Sequence, residues 1–407
     1  MPNERLQNID ILRGIALLGL PTMNMVVFAM PFAAYLNPSA MPNASWLDHT
    51  VFSVFYIFAD QKFMGLFTLL FGASLVLLSD KITAKGKKPA VTHYIKTFWL
   101  LVFGFLHAWF LWEGDVLMLY AVAALLLYPL KKLALPILLT ISVLLLSTSI
   151  YFTHHNDISK QTLGIEVRQE FEAIYSPSKT QIKEQSTRLL GDYESAMSST
   201  REQFSTDSET NTAAEIALEQ LAISGLLKVF GMMCLGIVLY RLGIIQGQKS
   251  DMFYKRLACW GIAFGSVLTC ANLAWNYVQH WQIDSYFRYG MIFKDIGAVF
   301  ITLGYVGLIN LLINQKRYLV VKAKIGFVGQ MALTNYIMQS LICGLIFYGY
   351  GLGWHGSLSR IELLPIVAGI WMFQIGLSYV WLTYFTQGPL EWIWRCLTYF
   401  KFLPILH

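Results

Sequence analysis

Charge is what this sequence has least of. Asp, Glu, Lys and Arg make up 13% of its 407 residues, against about a quarter in a soluble domain. That shortfall, with 56% hydrophobic residues, excludes an ordinary soluble globule and predicts an integral membrane protein. Cysteine is also scarce. The five present (Cys234, Cys259, Cys270, Cys343 and Cys396) stand singly in or beside apolar runs, with no CxxC or Cys/His spacing. Neither a zinc site nor a disulfide framework is supported, and no metal is expected. The net charge of +6 comes from cations in short loops between apolar stretches, which reads as topology and not as nucleic-acid affinity.

What is abundant is apolar runs of roughly 20 residues, the length that crosses a bilayer. Ten can be marked: Ile9–Met30, Val51–Leu78, Tyr94–Trp112, Asp115–Tyr128, Leu133–Phe152, Ile223–Ile245, Leu257–Val278, Met291–Ile313, Ile325–Tyr350 and Leu363–Phe385. The fourth is short. The second is long, and Trp46 to Ala59 reads as an interfacial start to it. Lysines and arginines then fall on alternate loops. Lys81, Lys85, Lys87, Lys88 and Lys96 follow run two, Lys131 and Lys132 run four, Lys249, Lys255 and Arg256 run six, and Lys316, Arg317, Lys322 and Lys324 run eight. By the positive-inside rule both termini are cytoplasmic. The first run reads as an uncleaved span and not a secretory signal, because Asp10 sits beside Arg13 and no soluble domain follows.

Between runs five and six the composition changes. Residues 154–222 are polar and more acidic than basic. Patterns at Glu166–Glu170 with Phe171 and Ile174, and at Ile182–Leu189, suggest amphipathic helices. The fold class expected is therefore all-α, a polytopic membrane bundle of about ten helices with one extracytoplasmic helical insert. Its parts are an N-terminal half (1–153), the insert (154–222) and a C-terminal half (223–407), with no internal repeat.

Polar groups inside hydrocarbon need a reason to be there. The stretch Phe103–Tyr120 holds His107 in an apolar helix, then breaks at Glu113-Gly114-Asp115. His107 lies about 13 residues past Tyr94, roughly 20 Å deep, and Asn24 reaches a similar depth counted from Asp10. Asp60 and Lys62 sit inside the second run, and Lys294 and Asp295 at the start of the eighth. Lys294 and Asp295 point to different helix faces, so each needs its own partner. A neutral imidazole in a dry pocket can take a proton from a nucleophile, and an amide can hold an oxyanion. The plain readings are a hydrogen-bonded packing histidine, an interhelical Asn24, Glu113 and Asp115 as turn and cap residues, and Asp60–Lys62 as a structural ion pair. The other histidines, His93 and His355 among them, fall at segment ends where a solvated role is the default. Trp392, Trp394 and Tyr399 read as an interfacial belt. A proton-coupled transporter uses the same residue types, although no repeat symmetry and no broken helix pair is evident.

Several motifs carry a resemblance: RLQNIDILRGIALLGLPTMNM, DQKFMGLFTLLFGASLVLL, GFLHAWFLWEGDVLMLYA, GQMALTNYIMQSL and QGPLEWIWRCLTYFK. Together they resemble the YeiB-like family of bacterial inner-membrane proteins, whose C-terminal half is a domain of unknown function. More distantly, Asp10, Arg13, Gly14 and Asn24 in the first span are similar to the transmembrane acyltransferases that include heparan-alpha-glucosaminide N-acetyltransferase. That likeness implies acyl transfer from cytosolic acetyl-CoA to a small-molecule or glycan acceptor at the outer face. His107 would be the general base, Asn24 an oxyanion or substrate donor, and Asp115 or Glu113 the orienting carboxylate. Arg13, Asp60, Lys62, Lys294 and Asp295 would serve the substrates. The chain departs from the acyltransferase pattern at Asn43-Ala44-Ser45-Trp46, where asparagine replaces the catalytic histidine; either His49 or His107 takes that role, or the acyl-transfer chemistry is absent. His107 is favoured because it is the deeper. Membrane lipid and a second copy of the chain are the other partners this class admits; a non-catalytic scaffold for envelope assembly is the third reading.

Overall fold

The computed structural model describes residues 4–406 except 42–43, 87, 156–168, 170–171, 205–212 and 316. The pattern at Glu166–Phe171 falls almost wholly on the omitted residues. Among those described, the chain is helical: α1 (Glu4–Gly19), α2 (Pro21–Ala29), α3 (Trp46–Phe58), α4 (Lys62–Ala84), α5 (Pro89–Phe110), α6 (Leu117–Leu130) and α7 (Leu135–His155) precede the insert. After it come α8 (Ala213–Arg241), α9 (Asp251–Val278), α10 (Ile292–Asn314), α11 (Leu319–Gln330), α12 (Ala332–Phe347), α13 (Arg360–Tyr384) and α14 (Pro389–Tyr399). Among the described residues, eight helices are long and apolar enough to cross a membrane, and the α11–α12 pair makes a ninth if taken as one span. The 14-residue α6 is about 21 Å long, short of the roughly 30 Å hydrocarbon core. These elements occupy all ten apolar runs.

Three breaks shape the bundle. Pro21 opens α2 and has no N–H for the carbonyl of Leu17. That oxygen is taken by the backbone N–H of Leu20 (3.2 Å) and the side chain of Gln339 (3.1 Å). Between α3 and α4, Gln61 adopts φ 64°, and the ammonium of Lys62 turns back to the carbonyl of Tyr56 (2.7 Å), a cation capping a helix C-terminus. The third break contradicts the expectation of uninterrupted spans. α11 and α12 meet at Met331 with an 81° bend, although no proline stands between Leu319 and Phe347. The carboxyl group of Glu391 on α14 accepts from the N–H groups of Leu333 (2.6 Å) and Thr334 (3.1 Å) and from the Thr334 hydroxyl (2.6 Å). It supplies acceptors for the N–H groups that the break exposes.

The halves on either side of the insert interleave. α8 joins residues of α4, α6 and α7 in one core that includes Leu75, Tyr120, Leu127, Leu138, Val229 and Met233. α1 lies directly on α11, where a side chain at Gly14 or Gly329 would strike backbone of the facing helix. Such small residues let membrane helices touch along their backbones. The insert is helical over Lys179–Leu189 and Tyr193–Phe204. It is tied to the bundle by Tyr193, which donates to the carbonyl of Phe110 (2.8 Å), and by the N–H of Gly349 on the carbonyl of Leu189 (2.9 Å).

Candidate active site

His107 is buried in the last turn of α5. Its Nδ1 lies 2.8 Å from Asp115 Oδ1, and its Nε2 lies 2.8 Å from the hydroxyl of Ser340 on α12. A serine, a histidine and an aspartate thus stand in line, the relation that recurs in acyl-transfer enzymes on unrelated folds. With Nδ1–H donating to the carboxylate, Nε2 presents a lone pair to the serine O–H.

Local sequence explains the first half of this arrangement. After α5 the chain turns through Leu111 to Val116, and Asp115 uses its two oxygens differently. Oδ1 faces His107, and Oδ2 accepts from the N–H of Met118 (2.8 Å), holding the first turn of α6. Capping and orienting, alternatives in the sequence, are both performed by one side chain. The close hairpin needs Gly104, where an added Cβ would lie 2.5 Å from the N of Met118 and 2.9 Å from Asp115 Oδ2. Tyr336 lies one turn before Ser340. Its ring stands 5.1 Å from that of His107, and its hydroxyl accepts from the N–H of Val116 (3.3 Å). The indole of Trp112 meets His107 edge-on at 6.4 Å, and its Nε1–H is buried with no hydrogen-bond partner among the described residues.

The other expected residues divide into two groups. Asn24 is half-buried on α2 and gives His107 no hydrogen bond, because both ring nitrogens are already engaged. Glu113 is exposed on the turn, and the carboxylate at His107 is that of Asp115. Asp60, Lys62, Lys294 and Asp295 form a separate cluster at the α3–α4 break. Asp60 pairs with Lys294 and accepts from the Tyr35 hydroxyl (2.7 Å). Asp295 pairs with Lys228 at 2.7 Å, and Lys228 also reaches Gln61. The structural pair therefore runs Asp60–Lys294 and not Asp60–Lys62, since Lys62 caps α3. Lys294 also stands 4.4 Å over the ring of Tyr56. Two histidines expected in solvent are instead buried: His93 faces the carbonyl of Ala124 (3.0 Å), and His355 that of Phe28 (2.8 Å).

A pocket of about 380 Å³ opens beside the histidine hairpin at the end of the bundle that carries the basic loops. Arg13, Lys96, Glu391 and Arg395 line it toward that end; Phe71, Leu100, Leu117 and Tyr120 line its interior, and Tyr336 also borders it. Tyr336 thus stands between the pocket, which it lines, and His107, which does not itself line it. Arg13 is held by Ser74 Oγ (2.7 Å), Asp10 (3.3 Å) and the carbonyl of Gly329 (3.4 Å). Trp394, expected in an interfacial belt, is part of the pocket wall and donates to the carbonyl of Lys96 (2.9 Å). Burial pushes the Glu391 carboxyl above its ordinary value, against the hydrogen bonds from Thr334 and Leu333. Among the described residues no group of His, Cys, Asp and Glu suited to a metal ion is present.

Ser340 is the residue that sequence reasoning missed. It sits inside the GQMALTNYIMQSL motif, but its partner His107 is 233 residues away, and a serine in an apolar helix is unremarkable by itself.

Fold and site together define a polytopic helical membrane protein with a buried, hydrogen-bonded line of Ser340, His107 and Asp115 and a basic pocket. Residues 239–401 match a family described as a protein of unknown function (DUF418). The chain is 30% identical to the uncharacterized protein YeiB of Escherichia coli (strain K12), over 97% of this chain and 96% of that one. It is 28% identical to the uncharacterized protein YxaH of Bacillus subtilis (strain 168), over 100% and 97%. An uncharacterized 39.9 kDa protein in the amylase 3' region of Bacillus acidopullulyticus is 25% identical over 99% and 96%. The chain belongs to the YeiB-like family. No solved structure matches it.

Proposed function

We propose that this protein is a membrane acyltransferase in which Ser340 is the nucleophile, His107 the general base and Asp115 the residue that orients it. The observation that carries this reading is His107, bridging a carboxylate and a hydroxyl at 2.8 Å on either side. Ser340 Oγ attacks the donor's acyl carbonyl, its proton passes to His107 Nε2, and the leaving thiolate takes that proton. An acceptor hydroxyl or amine then attacks the serine ester, gives its proton to His107, and Ser340 is restored. The Trp112 Nε1–H, buried and without a partner among the described residues, is the donor assigned to the oxyanion. His107 and Ser340 are 2% and 4% exposed, so bulk water is a poor competitor and transfer is favoured over hydrolysis.

The basic pocket is assigned to the donor, a coenzyme A thioester of which acetyl-CoA is the simplest. Its basic end is placed at the cytosol of the bacterial inner membrane, with both termini on that side, and the acceptor at the opposite end. The test is labelling of Ser340 by a fluorophosphonate, which needs an activated serine but no known substrate. A Ser340 adduct by peptide mass spectrometry that His107→Ala abolishes supports the reading. No adduct on folded protein, or labelling indifferent to His107→Ala, would falsify it.

The 81° break at Met331 favours a second reading, export of the pocket's ligand, because broken spans form substrate sites in transporters. Ligand flux through proteoliposomes that persists in Ser340→Ala selects it.

A further inference from the structure

The pocket at the basic end is amphipathic, and its charges are unequally satisfied. Arg13 is anchored by Asp10, Ser74 and Gly329, and Arg395 by Gln387 (3.2 Å). The carboxyl group of Glu391 already accepts from three donors. Lys96 differs. Its ammonium stands 4.2 Å over the Trp394 ring and makes no salt bridge or hydrogen bond among the described residues; Glu391 is the acidic group that acts on it, against Arg13 and Arg395. Three cations, Arg13, Lys96 and Arg395, thus share one wall with a single carboxyl group, that of Glu391, and such an excess of positive charge in a partly buried site invites an anion. The interior has the opposite character, being walled by aromatic and aliphatic side chains. A two-carbon acetyl group would leave most of those walls uncovered.

We propose that this pocket binds an anionic amphiphile, with its head on Lys96 and Arg395 and a hydrocarbon tail of several carbons against Phe71, Leu100, Leu117 and Tyr120. The inference rests on the acyl-transfer reading for its consequence, that the transferred group is a chain longer than acetyl. Tyr336, between pocket and His107, is the side chain that the donor carbonyl passes. The head's phosphate has two possible sources, a soluble acyl thioester or a bilayer phospholipid.

The experiment uses the full-length protein in nanodiscs of zwitterionic phosphatidylcholine, with binding read by titration calorimetry. One series is acetyl-, hexanoyl- and octanoyl-coenzyme A, and the other is dihexanoyl and dioctanoyl phosphatidic acid. The expected result is tightening of about fourfold per buried methylene in one series, which also names the source. Lys96→Gln weakens every member of that series about tenfold or more. Leu100→Trp, which fills the interior, flattens the chain-length dependence and spares the shortest member. Lys96 lies near the mouth, so its variant tests the head without disturbing the core, and thermal unfolding confirms that both variants are folded. Flat series, or a gradient that survives both substitutions, overturn the proposal. Ser340→Ala keeps the gradient and loses transfer. A gradient without transfer in the unmutated protein sinks the acyl-transfer reading and leaves the pocket assignment standing.

Discussion

Asp115→Asn probes the relay at its most constrained point. The aspartate oxygens are committed to different donors, His107 Nδ1 and the Met118 N–H, each at 2.8 Å. An asparagine has one acceptor and one donor to place in the same two positions. If its oxygen stays on Met118, the amide N–H₂ faces Nδ1, which must then accept. The imidazole proton moves to Nε2, which now donates to Ser340 and cannot receive the serine proton. If the amide is turned over, N–H₂ confronts the Met118 N–H and the cap of α6 is lost, a cost of about 1 kcal/mol. The first orientation keeps the fold and disables the base. Serine activation should fall about 10⁴-fold, the scale known for a triad aspartate-to-asparagine change, equivalent to about 5.5 kcal/mol in barrier. The unfolding midpoint in detergent should barely move. The measurement is the rate of Ser340 phosphonylation beside a melting curve on the same preparation. Labelling within tenfold of the parent at unchanged stability would mean that Asp115 is a cap alone, and the relay would have to be abandoned.

Three further outcomes are expected. Trp112→Phe removes the unpartnered indole N–H and keeps most of the ring; transfer should slow by about 10²–10³-fold with binding unchanged, and an unaltered rate removes Trp112 from the oxyanion role. Lys294→Met strands the buried Asp60 carboxylate and should destabilise by about 3–5 kcal/mol, most of it recovered in the Asp60→Leu/Lys294→Met double variant; chemical denaturation of the three proteins checks this, and equal stabilities refute it. Glu391 tests the sign of its pKa. Its folded-state value lies above the ordinary 4.5, so its contribution to stability is fully present below 4.5 and is lost as pH rises through the raised value. Melting curves from pH 4 upward should show a loss across that window in the parent protein, absent in Glu391→Gln. Parallel profiles for the two proteins reject the assignment.

How much of this could be read from the chain depends on the range over which each constraint acts. The helices of the ten apolar runs were legible because hydrocarbon forces a helix wherever an apolar run is long enough, a local rule, although only eight of them, or nine with the bent pair, are long enough to cross among the described residues. The histidine hairpin was legible for the same reason, since His107 and Asp115 lie eight residues apart on either side of one turn. Lys294 and Asp295 were correctly expected to need separate partners, because adjacent helical residues face different ways; that those partners are Asp60 and Lys228 is tertiary information. The break at Met331 carried no proline to announce it, and what sustains it, Glu391, lies 57 residues or more beyond the N–H groups that it receives. His93 and His355 are buried because helix packing closes over segment ends that hydropathy alone leaves in solvent. Ser340 was hidden by distance, and Asn24 was favoured by a distant likeness that the side-chain geometry does not extend to His107.

The bridge between His107 and Ser340 has a consequence for biogenesis. A membrane chain emerges from the ribosome N-terminus first, so the base and its carboxylate enter the bilayer while the serine is still 233 residues from being paired with them. Throughout that interval the hairpin holds an acid–base couple with nothing to activate. On the acyl-transfer reading, the nucleophile is supplied only when α12 turns in at Met331. On that reading a truncated or stalled product carries no reactive serine, and the appearance of labelling at Ser340 becomes a clock for the final stage of assembly.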